Sequence, residues 1–377
     1  MFYFDNAATG GRKPDQVLNA VFSSIRVCAN PGRGGHKLAV SCAKLVQDCR
    51  NSLSDFFDGY GFERVIFTKN CSEALNVAIL GVLQDGDHVI ATCMEHNSVL
   101  RPLELLRNKH KISYDVCPLN EDGNIDPEQF CSFLKPNTRM AIVTSASNVT
   151  GTMPPLKKIR SLLPKNVLLL CDGAQGGGHF PLRMQEMGID LLSIAGHKGM
   201  HGIQGSGALL FSERVSPRPI LYGGTGSMSV SLEMPDFYPD ALEAGTISFP
   251  AVVSLLEGTR YLALQGREIA RNVQMLTDYF LKKLSKLSAY RPYSIANPCG
   301  IVAFSHNRLQ SETVADILSS RYDIAVRGGL HCAPLMHRAL GTEDGGLTRV
   351  SFSHFNNEKE IDFLCLALAE IDNHAKY

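Results

Sequence analysis

Short apolar runs alternate with stretches of helical periodicity along most of this chain, and that alternation restricts the fold more than any other feature. Arg64–Lys69, Asp87–Thr92, Arg139–Thr144, Asn166–Cys171, Asp190–Ala195 and Gly207–Phe211 read as strands. Between them, Ser72–Leu83, Asn97–Asn108 and Leu156–Leu163 carry helical spacing. A strand that is apolar throughout must be covered on both faces. Such strands, separated by helices, predict an α/β fold with a mostly parallel sheet. In sheets of this kind, ligands gather beyond the carboxyl ends of the strands.

The pattern changes near Pro250. Ala251–Leu287 reads as a long helical stretch, broken or bent around Gln265-Gly266. After it come a strand (Ile301–Ser305), a helix (Glu312–Ser320), strands at Ile324–Arg327 and Thr348–Phe352, and a last helix (Lys359–Ile371). This is a smaller α+β unit. The expected division is a large domain over 12–255 and a small domain over 256–377 that includes the N-terminal segment 1–11.

Charge narrows the function classes. Lys plus Arg number 37 and Asp plus Glu number 37, so no basic excess points to nucleic acid or an anionic membrane. No apolar run reaches the roughly 18 residues of a membrane span. The start, MFYFDNAATGGRKP, has no cationic segment followed by an apolar one, unlike a secretory signal. The 11 cysteines are odd in number and contain no C-x-x-C pair. They suit the reducing cytoplasm and suggest no zinc ribbon.

Two segments carry chemistry. Asp172, in Leu170-Cys-Asp-Gly-Ala-Gln175, ends an apolar strand. Alone, such an aspartate serves as a helix cap or ion-pair partner. Lys198, in Ala195-Gly-His-Lys-Gly-Met-His-Gly202, follows the next apolar strand. Alone, such a lysine is solvated. His197 and His201 have the i, i+4 spacing of helical metal ligands, but Gly196, Gly199 and Gly202 argue against a helix there, and no metal site is expected. The pairing of the two strand ends is the specific signal. Lysine forms a Schiff base with an aldehyde cofactor, and pyridoxal phosphate needs an anion beside its pyridinium nitrogen.

From these residues the sequence resembles the class V aminotransferase superfamily of pyridoxal-phosphate enzymes, fold type I, and within it the cysteine desulfurases and selenocysteine lyases. The matching segments are FDNAATGG, TKNCSEALN, MEHNSVLRPL, SASNVTG, CDGAQ, GHKGMHGIQGSG, LEAGT, VRGGLHCAP and LTRVSFS, in family order over nearly the whole chain. The resemblance implies a mostly parallel seven-stranded sheet in the large domain and a homodimer. It makes Lys198 the covalent cofactor ligand and proton shuttle. Asp172 becomes the partner of the pyridine nitrogen, Gln175 a donor to the phenolic oxygen, and His96 the imidazole stacked on the ring. Cys71, Ser72 and His197 become phosphate contacts, and Thr246 reaches the phosphate of the neighbouring subunit. The sequence departs from the family at Cys71, which lacks a hydroxyl, and at Ala195, where a serine is common.

The segment Arg327-Gly-Gly-Leu-His-Cys332-Ala-Pro decides the subfamily. In desulfurases a cysteine here attacks the sulfur of substrate cysteine, and the short spacing resembles the group II enzymes. Glycines, His331 and Arg327 are expected to give Cys332 positive surroundings and a raised thiolate fraction. Arg349 resembles the substrate-carboxylate clamp, with Asn148 and Arg327 as helpers. Arg33 and His36 lie in a segment the family places near the site.

The expected activity is therefore desulfuration of L-cysteine to L-alanine through a Cys332 persulfide, passed to a sulfur-acceptor protein. A selenocysteine lyase acting on L-selenocysteine shares every motif. A class V aminotransferase of small amino acids leaves Cys332 unexplained, and a scaffold without activity leaves Lys198, Asp172 and His96 unexplained. A nicotinamide dehydrogenase is disfavoured because Gly202-Ile-Gln-Gly-Ser-Gly precedes a strand rather than a helix.

Overall fold

A computed structural model describes residues 1–32 and 34–375. The strands are β1 (Phe2–Tyr3), β2 (Val65–Thr68), β3 (His88–Thr92), β4 (Ser113–Cys117), β5 (Thr138–Thr144), β6 (Leu168–Asp172), β7 (Leu191–Ala195), β8 (Gly207–Phe211), β9 (Tyr290–Pro292), β10 (Ile301–His306), β11 (Ile324–Ala325) and β12 (Thr348–Ser351). The helices are α1 (Asp15–Arg26), α2 (Lys37–Phe56), α3 (Cys71–Leu80), α4 (Asn97–Asn108), α5 (Pro127–Ser132), α6 (Leu156–Leu162), α7 (Met184–Met187), α8 (Phe249–Leu284), α9 (Ser311–Tyr322), α10 (Pro334–Leu340) and α11 (Glu358–His374).

Seven strands form the central sheet in the order β2-β8-β7-β6-β5-β3-β4. Strand β8 is antiparallel to both neighbours, and every other pairing is parallel. The α/β, mostly parallel expectation is met. Side chains alternate between two cores, as the two-residue period of a strand requires. Ile90, Val143, Leu169, Leu192 and Leu210 join the core shared with α2 and α8. Val89, Ile142, Leu170, Leu191 and Leu209 join the core under α3 and α4. Covering both faces explains why these strands are apolar throughout.

A second, antiparallel sheet has the order β12-β10-β9. It packs with α9 and α11 on its own core, built around Phe280, Phe304, Phe352 and Leu364. The N-terminus joins this unit: β1 pairs with β11, and Asp5 bridges to Ser351.

The break expected around Gln265-Gly266 does not occur. Helix α8 runs unbroken from Phe249 to Leu284. One helical glycine costs about 1 kcal/mol, and Leu262 and Ile269, buried on either side of it, hold the helix through that point. Its buried residues up to Val273 belong to the large-sheet core, and from Leu276 onward to the small-sheet core.

Candidate active site

The carboxyl ends of the central strands open on a cavity of about 220 Å³ lined by residues from most of the motifs singled out in the sequence, with Thr246 and His36 outside it. Asp172 closes β6, and Lys198 lies just beyond β7. Thr144, Asp172 and Ser193 are register partners across β5, β6 and β7, which brings these strand ends level. The loops after β6 and β7 then touch backbone to backbone. A Cβ at Gly199 would strike the carbonyl of Gly177, and one at Gly178, with φ +86°, would strike that of Gly199. Glycine alone permits this approach. The His197 carbonyl accepts from Gly10 N–H and from Lys13 Nζ, each at 2.9 Å, which ties the lysine loop to the N-terminal segment.

Asp172 is 2% exposed. Its Oδ1 accepts from the Ala174 N–H at 2.9 Å and from the Cys71 thiol at 3.4 Å. Burial, with the nearby Asp172 charge, pushes the Cys71 thiol well up, so it stays an S–H donor. Burial pushes Lys198 down; Cys71 and Asp172 oppose that shift, while Arg349 and Arg327 add to it. The Gln175 amide lines the cavity and donates to the Ala7 carbonyl at 3.1 Å.

His96 caps α4, its Nδ1 accepting from Ser98 N–H at 3.0 Å. An accepting Nδ1 leaves Nε2 as the protonated nitrogen of a neutral ring. Burial holds its pKa down at about 4. His197 is likewise pushed down to about 4 by burial and then by Lys198; its Nδ1 lies 3.0 Å from Thr9 Oγ1. Cys71 and Ser72 are the first two residues of α3, and both line the cavity. A helix N-terminus offers N–H groups and partial positive charge to an anion.

Arg327 and Arg349 pair backbone to backbone, and both line the cavity. Arg349 is 1% exposed. Its Nη1 donates to the Asn148 carbonyl and its Nη2 to Asp5 Oδ1, each at 2.9 Å, while Nε has no partner. Two guanidiniums against one carboxylate leave a net positive corner that suits a carboxylate ligand.

Cys332 is exposed and directly follows His331, which lines the cavity, while Cys332 itself is not among the lining residues. It and His331 both take positive φ, at +57° and +50°. Asn148 Nδ2 donates to the His331 carbonyl at 2.7 Å, and Asn97 N–H to the Cys332 carbonyl at 2.8 Å. One expectation is corrected here. His331 does not add positive charge beside the thiol. It is 3% exposed, bonded through Nε2 to the Leu347 carbonyl at 2.9 Å, and pushed by burial down to about 2.

Thr246 is exposed and lines a separate cavity of about 250 Å³, away from Lys198 of its own chain. His36 is exposed and caps α2 through Nδ1. Arg33 lies outside the described residues. Among the described residues no cluster of His, Cys, Asp and Glu is arranged to hold a metal ion.

Three residues of the site escaped the sequence reading. Asp5 pairs with Arg349, which stands 344 positions away. Lys13 anchors the lysine loop and is pushed down to about 8 by burial. Glu95, next to His96 in the chain, is fully buried; its Oε1 accepts from Thr92 Oγ1 at 2.7 Å and Thr144 N–H at 2.9 Å, and its Oε2 has no partner. Burial raises its pKa to about 8. A glutamate next to a motif histidine was the one available signal.

Residues 2–364 match the family model of the class-V aminotransferases. The chain belongs to the class-V aminotransferase family. It is 32% identical to a probable cysteine desulfurase of Methanothermobacter thermautotrophicus, covering 98% of this chain and 94% of that one. It is 30% identical to a cysteine desulfurase of Pectobacterium atrosepticum, covering 98% and 92%. Among solved structures, the apo cysteine desulfurase of Thermococcus onnurineus superposes with a TM-score of 0.89 at 30% identity, covering 98% of this chain and 94% of that one.

Proposed function

We propose that this protein is a pyridoxal-phosphate-dependent cysteine desulfurase that converts L-cysteine to L-alanine and carries the sulfur on Cys332. The observation that carries this reading is the placement of an exposed thiol on a pinned turn beside a cavity holding a buried lysine, a buried aspartate and two arginines. The near-full-length likeness to cysteine desulfurases supports it.

The residues present fit the cofactor. Lys198 would hold its aldehyde carbon, Asp172 its ring nitrogen, and His96 its ring face. Gln175 would serve the phenolic oxygen, with Cys71, Ser72 and His197 at the phosphate. Buried Lys198 and Asp172 and the N-terminus of α3 line one cavity, matching the aldehyde, ring nitrogen and phosphate of that group. Bound in that cavity, pyridoxal phosphate would supply an electron sink for the substrate Cα–H and C–S bonds.

The side chains do the rest. Arg349 and Arg327 fix the substrate carboxylate. Burial favours the neutral amine of Lys198, so Nζ can take the Cα proton and later return a proton to the carbon skeleton. Cys332 Sγ, as thiolate, attacks the substrate sulfur. The S–S bond forms as the C–S bond breaks, and the electron pair stays with the carbon fragment. The balance is L-cysteine plus Cys332–SH giving L-alanine plus Cys332–S–SH.

A second copy of the chain would bring Thr246 to the phosphate; its exposed position outside the cavity of its own chain supports that reading. A sulfur-acceptor protein would then take the persulfide sulfur, reached through the exposure of Cys332. Among the described residues no helix is long and apolar enough to cross a membrane. Every cysteine is free, which suits work in the reducing cytoplasm. Incubating purified protein with L-cysteine, pyridoxal phosphate and a thiol reductant tests the activity. Equal amounts of alanine and sulfide are expected, and alanine formation without sulfide would overturn the reading.

A further inference from the structure

We infer that Asp5 is a positioning residue that acts through Arg349: it orients the guanidinium and limits the charge offered to the substrate carboxylate. This rests on the activity proposed above and narrows its substrate class to amino acids with one carboxylate and an uncharged side chain. Arg349 and Arg327 line the cavity, and Asp5 does not. Arg349 Nη2 donates to Asp5 Oδ1 and Nη1 to the Asn148 carbonyl, each at 2.9 Å. A guanidinium carries five N–H groups. Two fixed bonds set its plane and leave hydrogens on Nη1, Nη2 and the unpartnered Nε for a ligand. Burial pushes Arg349 down; Asp5 opposes that shift and Arg327 adds to it.

Asp5 is itself held in place. It bridges to Ser351, two residues beyond Arg349 in β12. The Phe4 carbonyl accepts from Ser351 N–H at 2.6 Å, Asn6 Nδ2 donates to the Ser351 carbonyl at 2.8 Å, and Ala7 N–H donates to Ser351 Oγ at 2.8 Å. The chain on both sides of Asp5 is thus latched to the strand that carries the guanidinium. With Asp5 ionised, the two arginines present one unit of positive charge in excess, a match for a single carboxylate. Without it the excess is two, which holds a monoanion harder and a dianion harder still. Asp5 thereby disfavours amino acids with an acidic side chain.

The test compares Asp5→Asn with Asp5→Ala in the holoenzyme. Asparagine removes the charge and keeps an acceptor for Nη2, whereas alanine removes both. Calorimetry with propionate and succinate reads the corner directly. Asp5→Asn should bind propionate about three- to tenfold more tightly and succinate by a larger factor. Its KM for L-cysteine should fall by more than kcat changes. Asp5→Ala should gain less, because its guanidinium is no longer held. Unchanged or weaker propionate binding in Asp5→Asn, an equal gain for the two acids, or an equal gain in the two variants would overturn the inference. Should Asp5→Asn not fold, Asp5→Ser, uncharged and with an accepting hydroxyl, gives the same comparison. Should the wild-type enzyme form no alanine from L-cysteine, the activity reading fails, and the calorimetry still decides the role of Asp5.

Discussion

At the scale of single residues, the proposed function divides the chemistry between Lys198 and Cys332. Lys198→Ala should lower turnover by several orders of magnitude, because no other amine replaces it at that atom. The variant should also lose the visible absorbance of covalently held pyridoxal phosphate; an unchanged spectrum would contradict the assignment. Cys332→Ser should keep that absorbance and stop sulfide release from L-cysteine. Both residues stand out in the sequence because each sits in a short glycine-bordered motif. Asp5 does not, since its guanidinium partner is almost a chain length away and is brought to it by the pairing of β1 with β11 and by the Asp5–Ser351 bridge. The charge state of His331 was not legible either. Neighbourhood in sequence suggested a cation beside the thiol, and burial made it neutral.

At the scale of elements, α8 supports the lysine loop. A Cβ at Gly258 would strike the carbonyl of Met200. Gly258→Ala should therefore destabilise the protein by about 1–3 kcal/mol through overpacking, although alanine is the better helix former by about 1 kcal/mol. Urea unfolding at pH 7.5 measures this, and a variant more stable than wild type would refute the contact. The interior strands were readable because burial on both faces makes them apolar. Strand β4 was missed for the opposite reason: it is an edge strand, Ser-Tyr-Asp-Val-Cys, half-exposed and carrying an ion-paired Asp115. Helices α1 and α2 were missed as well. Both mix apolar side chains with serines and charges, and exposed Phe22, Ile25 and Val40 blur their inner faces.

At the scale of the whole molecule, buried titrating groups set the pH range of stability. His96, His179, His197 and His354 are held down to about 4 by burial, against 6.5 for a free imidazole. Below 6.5 the unfolded chain binds protons that the native state refuses, so stability should fall as the pH drops toward 4. Glu95 acts the other way. With its pKa raised from 4.5 to about 8, it favours the native state most at low pH and loses that contribution as the pH rises through this window. Glu95→Gln keeps the acceptor for Thr92 and Thr144 and removes the titration. Its stability relative to wild type should rise between pH 5 and 8, by on the order of 1 kcal/mol or more; a constant difference across that range would show that Glu95 is ionised in the fold. The assembly itself should be a dimer by light scattering, with Thr246 of each copy serving the other.

The most direct measurement is the mass of the Cys332 peptide after brief exposure of the holoenzyme to L-cysteine without reductant. The account predicts a peptide one sulfur atom heavier, with alanine formed in equal amount. Alanine formed while that peptide stays unmodified, or a persulfide found on another cysteine, would contradict it.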